Sequence, residues 1–310
     1  MSIPFRSRRG ALPALLAAIL MIATGCSGTG QHGSGVVVTT NILGDITRAI
    51  VGDQAEVTVL MKPNADPHSF GISAQQAAEV ERSGLIVYNG LGLEEGVLRN
   101  VRAAEEAGIP ALPVGEEADP IHYASDESAG RPDPHFWTDP RRMRGAVDAI
   151  TEQVLRHVAG VHEAVVRDNA ARLRGEIDAL DATMSRRFEQ LPPQRRKLVT
   201  NHHVFGYLAQ RFGFEVIGAV IPSGTTLASP SASDLKSLAD TVRSAGVPAI
   251  FADSSQPDRL ARVLADQAGL QVAVVPLFSE SLSEPGQGAG TYLEMMRANT
   301  EAIATGLSRS

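Results

Sequence analysis

Eight histidines occur in 310 residues, and two of them follow the same dipeptide, in Asp66-Pro67-His68 and in Asp133-Pro134-His135. With Asp and Pro each near 5% of residues, a given His follows Asp-Pro by chance about once in four hundred. Proline fixes its own φ and pushes the residue before it into an extended conformation, so the next imidazole leaves the chain at a reproducible angle. A metal ligand needs that reproducibility; a solvated histidine does not. A third histidine position lies just past an apolar run, in Leu198-Val199-Thr200-Asn201-His202-His203. Imidazoles held in rigid frames at distant points of a chain point to a metal site.

The elements around these positions repeat. Val36-Val37-Val38-Thr39-Thr40 is a β-branched run followed by an amphipathic segment, Ile42–Ile50, and Lys197–Thr200 likewise runs into an amphipathic segment through Phe205, Tyr207, Leu208 and Phe212. More short strands are predicted at Glu56–Met61, Leu85–Tyr88, Glu215–Ala219, Ala249–Ala252 and Gln271–Val275. Helices are predicted between them at Ser73–Arg82, Glu95–Ala107, Ser231–Ala245 and Asp258–Ala268. Strands alternating with helices imply an α/β fold with a parallel sheet flanked by helices in each half, and ligands of such sheets collect at the carboxyl ends of strands. Between the halves, Asp139 can cap and Pro140 can start a long helical pattern with a break near Gly160. Beyond the break, Val161, Val165, Asp168, Arg172, Ile177, Leu180, Met184, Phe188 and Leu191 form a mostly apolar stripe ended by Pro192-Pro193. One rigid helix of about 30 residues, about 45 Å long, therefore joins the two lobes.

Ahead of this body stand Arg6, Arg8 and Arg9, an apolar run from about Ala11 to Ala23, and Thr24-Gly25-Cys26. The run is shorter than the roughly 20 residues of a spanning helix and reads as an export signal. Cys26, the only cysteine, resembles the lipidated residue of a bacterial lipoprotein processing site. The expected organisation is a signal peptide at 1–25, a lipid-anchored tether at 26–35 that contains a solvated His32, an N-terminal lobe at 36–158, a linking helix at 159–192 and a C-terminal lobe at 193–310. Removing the signal takes away three arginines and no acid, moving the formal charge from −7 to −10. An acidic exported body disfavours nucleic acid or anionic lipid as partner and favours a cationic ligand.

Longer motifs carry a family resemblance. They are Asn64-Ala65-Asp66-Pro67-His68-Ser69-Phe70, Asp133-Pro134-His135-Phe136-Trp137-Thr138-Asp139-Pro140, Thr200-Asn201-His202-His203-Val204-Phe205-Gly206-Tyr207, and Pro276-Leu277-Phe278-Ser279-Glu280-Ser281-Leu282 with Thr291–Asn299. Over nearly all of the mature length the chain resembles the zinc and manganese solute-binding lipoproteins of bacterial ABC importers, the cluster A-I metal-binding family. The resemblance implies two α/β lobes joined by one long helix, with His68, His135 and His202 binding the metal and Glu280 as fourth ligand. Glu280 departs from the Asp of many relatives by one methylene. The resemblance aligns Phe205 and Gly206-Tyr207 with the family pattern three to five residues beyond the ligand, and so implies His202 in place of His203. Three imidazoles and a carboxylate suit tetrahedral Zn²⁺, whereas a Glu280 bound through two oxygens also admits Mn²⁺. The implied function is capture of a divalent cation outside the cytoplasmic membrane, as a monomer on a lipid anchor, and delivery to an ABC permease, with no catalysis.

Two rivals are a secreted zinc hydrolase and a surface adhesin. No His-Glu-x-x-His occurs, and a Glu280 ligand closes the position that a catalytic water needs. A complete ligand set argues against an adhesin with a vestigial site. The loop from Gly115 to Pro132, with its acids and the single His122, reads as solvated, as do His157 and His162. Asp253-Ser254-Ser255 lines the cleft in this reading, and Trp137 packs beside His135.

Overall fold

A run of three valines has nowhere to sit but the middle of a sheet covered on both faces, and Val36–Val38 (β1) is fully buried there. The computed structural model describes residues 1–2, 35–269 and 272–309; Cys26, His32 and most of the expected signal and tether lie outside the described residues. After β1 come Asn41–Val51 (α1), Val57–Val59 (β2), Ala74–Val80 (α2), Leu85–Tyr88 (β3), Leu98–Glu106 (α3), Ala111–Pro113 (β4) and Val114–Glu117 (α4). These four strands form a parallel sheet in the order β2-β1-β3-β4. The chain then runs through two helices, Pro140–His157 (α5) and Glu163–Glu189 (α6). The second half repeats the first with Lys197–Thr200 (β5), Gly206–Phe212 (α7), Glu215–Ala219 (β6), Ala232–Ala245 (α8), Ala249–Asp253 (β7), Arg259–Ala268 (α9), Ala273–Leu277 (β8) and Tyr292–Leu307 (α10). Its sheet is again parallel, in the order β6-β5-β7-β8.

In both sheets the connection reverses direction after the second strand, so each has a switch point, between β1 and β3 and between β5 and β7. A cleft opens at the carboxyl ends of such strands because successive crossovers go to opposite sides. The long helices stand where local chemistry places them. Asp139 caps α5 by accepting from Arg141 N, and Pro140 occupies its first turn. Gly160, at φ 83°, separates α5 from α6, a conformation open to glycine at little steric cost. At 27 residues, α6 is about 40 Å long.

The buried face of α6 is Val166, Ala170, Leu173, Ile177, Leu180, Met184 and Phe188. The predicted stripe is therefore right from Ile177 onward; before it, Val166, Ala170 and Leu173 are buried in place of the expected Val165, Asp168 and Arg172. That face packs on α5, α1 and α10. A single hydrophobic cluster runs from Val36 and Val38 through α5 and α6 to Leu198, Phe251 and α10. The two sheets thus share one continuous core.

Candidate metal centre

Both Asp-Pro-His tripeptides fold the same way. Asp66 Oδ1 accepts from His68 N at 3.0 Å, and Asp133 Oδ1 accepts from His135 N at 2.9 Å. An aspartate that turns back on the amide two residues ahead makes a tight Asx turn, and the intervening proline stiffens it. His68 lies on the loop after β2 and His135 just before α5. His202 follows β5, with its carbonyl accepting from Thr200 Oγ1 at 2.6 Å, and Glu280 follows β8.

The structure brings these four side chains together. One donor atom from each of His68, His135, His202 and Glu280 lies within 4.8 Å of the others, and all four residues are buried. His202 Nε2 is 3.1 Å and His135 Nε2 3.5 Å from Glu280 Oε1; His68 Nε2 is 3.8 Å from Glu280 Oε2 and 3.4 Å from His135 Nε2. Four bonds of about 2.0–2.1 Å directed to the corners of a tetrahedron place neighbouring donors about 3.3 Å apart. The four side chains are spaced around a point at which such an ion fits. Both Glu280 oxygens and His202 Nε2 lack a hydrogen-bond partner among the described residues. Buried polar atoms left without partners are costly, and a cation supplies what they lack.

The surroundings set the protonation. Burial, and then the neighbouring imidazoles, hold His68 and His135 well below the usual histidine value, so both present lone pairs at neutral pH. Burial also lowers His202, against the pull of Asp253, Asp66 and Asp133. Glu280 is raised well above the ordinary carboxyl value, first by burial and then by the same three acids. Asp133 is pushed up to about 7 by burial. Its Oδ1 also takes His135 Nδ1 at 2.7 Å, which leaves Nε2 facing the cluster. Gly206 makes room for this arrangement, since a Cβ there would stand 2.7 Å from Asp133 Oδ2.

Other histidines fall elsewhere. His203 points away from the cluster, to Asp126 Oδ2 at 2.5 Å, and His122 and His162 are exposed. Trp137 stacks edge-on against His135 with ring centroids 5.2 Å apart. Asp253, placed in the cleft by its sequence position, accepts from Ser279 N at 3.2 Å beside Glu280. The Gly115–Pro132 loop is more than a solvated connection. Tyr123 OH lies 3.2 Å from His135 Nδ1 and donates to Gly224 O at 3.4 Å, while the buried Ser128 accepts from Gly224 N at 2.8 Å. Asp66, seen from sequence as part of a rigid frame, also accepts from Thr226 Oγ1 at 2.6 Å and Gln256 Nε2 at 2.9 Å of the other half. Residues brought in from so far along the chain leave no local pattern by which to find them.

Two parallel-sheet α/β lobes with three imidazoles and a carboxylate gathered at strand ends define a metal-binding protein of the solute-binding class. The family described as ZnuA, zinc-uptake complex component A, periplasmic, matches residues 36–306, and the chain belongs to it. It is a binding protein of metal uptake and not an enzyme. It is similar to the zinc-binding protein TroA of Treponema pallidum, at 30% identity over 93% of each chain. The solved structure of that periplasmic zinc-binding protein superposes with a TM-score of 0.80, at 30% identity, covering 88% of this chain and 99% of the other. Two further relatives are the metal ABC transporter substrate-binding lipoprotein FimA of Streptococcus parasanguinis, 28% identical over 96% of each chain, and the manganese ABC transporter substrate-binding lipoprotein PsaA of Streptococcus anginosus, 26% identical over 97% of this chain and 99% of the other.

Proposed function

We propose that this protein captures Zn²⁺ outside the cytoplasmic membrane, through His68, His135, His202 and Glu280, and delivers it to the permease of an ABC importer. The carrying observation is the convergence of three neutral imidazoles and one carboxylate at the spacing of a tetrahedral ion. A nitrogen-rich set of this kind favours zinc over manganese, both in donor preference and in the general affinity order of divalent metals. A second reading, Mn²⁺, is favoured by one observation: both Glu280 oxygens face the imidazoles, Oε1 towards His135 and His202 and Oε2 towards His68. A carboxylate bound through both oxygens raises the donor count to five.

The division into lobes at 36–158 and 193–310 with a helical connector between them is part of the same proposal, supported by one sheet on either side of α6. So is the lipid anchor at Cys26, supported by the lipoprotein names of the relatives. No helix among the described residues is long and apolar enough to cross a membrane. A monomer needs no partner copy to complete the four-residue site.

Metal analysis of the folded protein, followed by equilibrium competition between Zn²⁺ and Mn²⁺, tests the reading. One equivalent of zinc retained against excess manganese is the expected result; retention of manganese makes Mn²⁺ the cargo. Substitution decides between the adjacent histidines. His202→Ala is expected to lower zinc affinity far more than His203→Ala, and equal losses in the two titrations would refute the assignment.

A further inference from the structure

Glu280 stands on a short strip, residues 278–282, that leaves β8, and the strip is bonded along both flanks. One flank belongs to its own half. Phe278 N donates to Asn299 Oδ1 and Asn299 Nδ2 to Phe278 O, both at 2.9 Å, and Ser279 N donates to Asp253 Oδ2 at 3.2 Å. The other flank is bonded to the N-terminal half. Trp137 Nε1 donates to Ser279 O at 2.9 Å, and Asn64 N donates to Leu282 O at 2.9 Å. Asn41, the first residue of α1, meets the strip with both ends of its amide. Its Nδ2 donates to Ser281 Oγ at 2.8 Å and to Lys62 O at 3.1 Å, and its Oδ1 accepts from Leu282 N at 3.0 Å.

The backbone of the His202 segment is held differently, although the His203 side chain reaches Asp126 of the N-terminal half. Ile221 N donates to Asn201 O at 2.7 Å, and His203 N donates to Ser223 O at 3.0 Å, both within the C-terminal half. Glu280's own oxygens accept no hydrogen bond among the described residues, so the backbone of the strip and the packing around it decide where the carboxylate sits. Asn41 is 8% exposed, and a buried amide that donates and accepts at once fixes a neighbouring backbone in register as an apolar side chain cannot.

We propose that Asn41 is a positioning residue for the metal site: by tying Ser281 and Leu282 to α1 and to Lys62, it registers the Glu280 carboxylate against His68 and His135 across the two halves. This rests on the reading of Glu280 as a ligand. Support of this kind, one shell out from the metal, is commonly worth about 10–100-fold in affinity.

The test compares Asn41→Ala, Ser281→Ala and Glu280→Ala with the wild-type protein. Zinc affinity is read by competition with a chelator, melting is followed in the metal-free and zinc-loaded forms, and the visible absorption of the Co²⁺-loaded protein reports donor number and symmetry. Asn41→Ala is expected to lose about 10–100-fold in zinc affinity and to change the Co²⁺ spectrum. Ser281→Ala removes one of the bonds Asn41 makes, together with the local Ser281 Oγ to Leu282 O bond at 3.3 Å, and is expected to show a smaller loss in the same direction; it carries the test by itself if Asn41→Ala does not fold. Equal lowering of melting in both forms, with affinity and Co²⁺ spectrum unchanged, overturns the proposal. Lost affinity in Glu280→Ala alone overturns it too while leaving Glu280 a ligand. Unchanged affinity in Glu280→Ala overturns both.

Discussion

Each Asp-Pro-His aspartate turns its Oδ1 back on its own histidine's amide, yet the two carboxylates differ in what else they hold. Asp66 Oδ2 reaches Thr226 and Gln256 across the cleft, whereas Asp133 also holds His135 Nδ1. Asp133→Ala is therefore expected to weaken zinc binding about 10–100-fold by freeing the His135 ring, as measured by chelator competition. Protonation adds a second expectation. Glu280 sits well above its ordinary value, so its carboxyl holds a proton to higher pH than a free one does, and an incoming cation competes with that proton. The imidazoles, held low by burial, already offer lone pairs. Zinc affinity should rise as pH rises, with protons released as the ion binds; calorimetry in buffers of different ionisation enthalpy measures that release. A folded-state carboxyl raised above its unfolded value contributes stability at acid pH that is lost as pH rises through the folded value. The Glu280 and Asp133 carboxyls thus cost the metal-free protein stability as pH rises, opposite in sign to the buried imidazoles, whose lowered values contribute stability that grows as pH rises towards the ordinary histidine value. The sequence made the repeated tripeptide and its imidazoles legible, and motif resemblance supplied Glu280. Asn41 and Tyr123 were not legible, because their roles depend on partners 240 and 12 residues away that no periodicity links.

At the scale of elements, α6 shows where pattern reading succeeds and fails. From Ile177 to Phe188 large apolar residues recur at the helical period, and the buried face was readable. Before that, Val165 and Val166 compete for one turn, and the small Ala170 marks the buried side too weakly to decide. Three elements lie outside the predicted set, the four-residue α4 among them. Strand β4 is three residues long and ends in Pro113, against the usual signals of a strand, and α10 begins within a motif that drew attention for its chemistry. Gly175 lies in the exposed interior of α6, where an added Cβ meets nothing within 4 Å. Gly175→Ala is expected to stabilise the protein by about 0.5–1 kcal/mol in denaturant titration, and a destabilised variant would contradict a regular helix there. Leu180→Ala, on the buried face, should cost about 2–5 kcal/mol in the same experiment.

At the scale of the molecule, the two α/β halves were evident from alternating strands and helices, but their common core was not, since contacts between halves have no sequence period. That core, running from β1 through α5 and α6 to α10, opposes wide separation of the lobes. Metal-free and zinc-loaded forms are expected to show no resolvable difference in radius of gyration by small-angle scattering; a clear expansion on metal removal would indicate a hinge where the core is continuous. Zinc at a thousandfold excess over its dissociation constant should add about 4 kcal/mol to stability, read as a rise in melting temperature. The chain's single tryptophan is Trp137, edge-on to His135 and bonded to the carbonyl next to Glu280. All indole emission of this protein consequently originates at the border of the metal centre, so occupancy can be followed in the unlabelled chain as a change in fluorescence, with no other indole to dilute it.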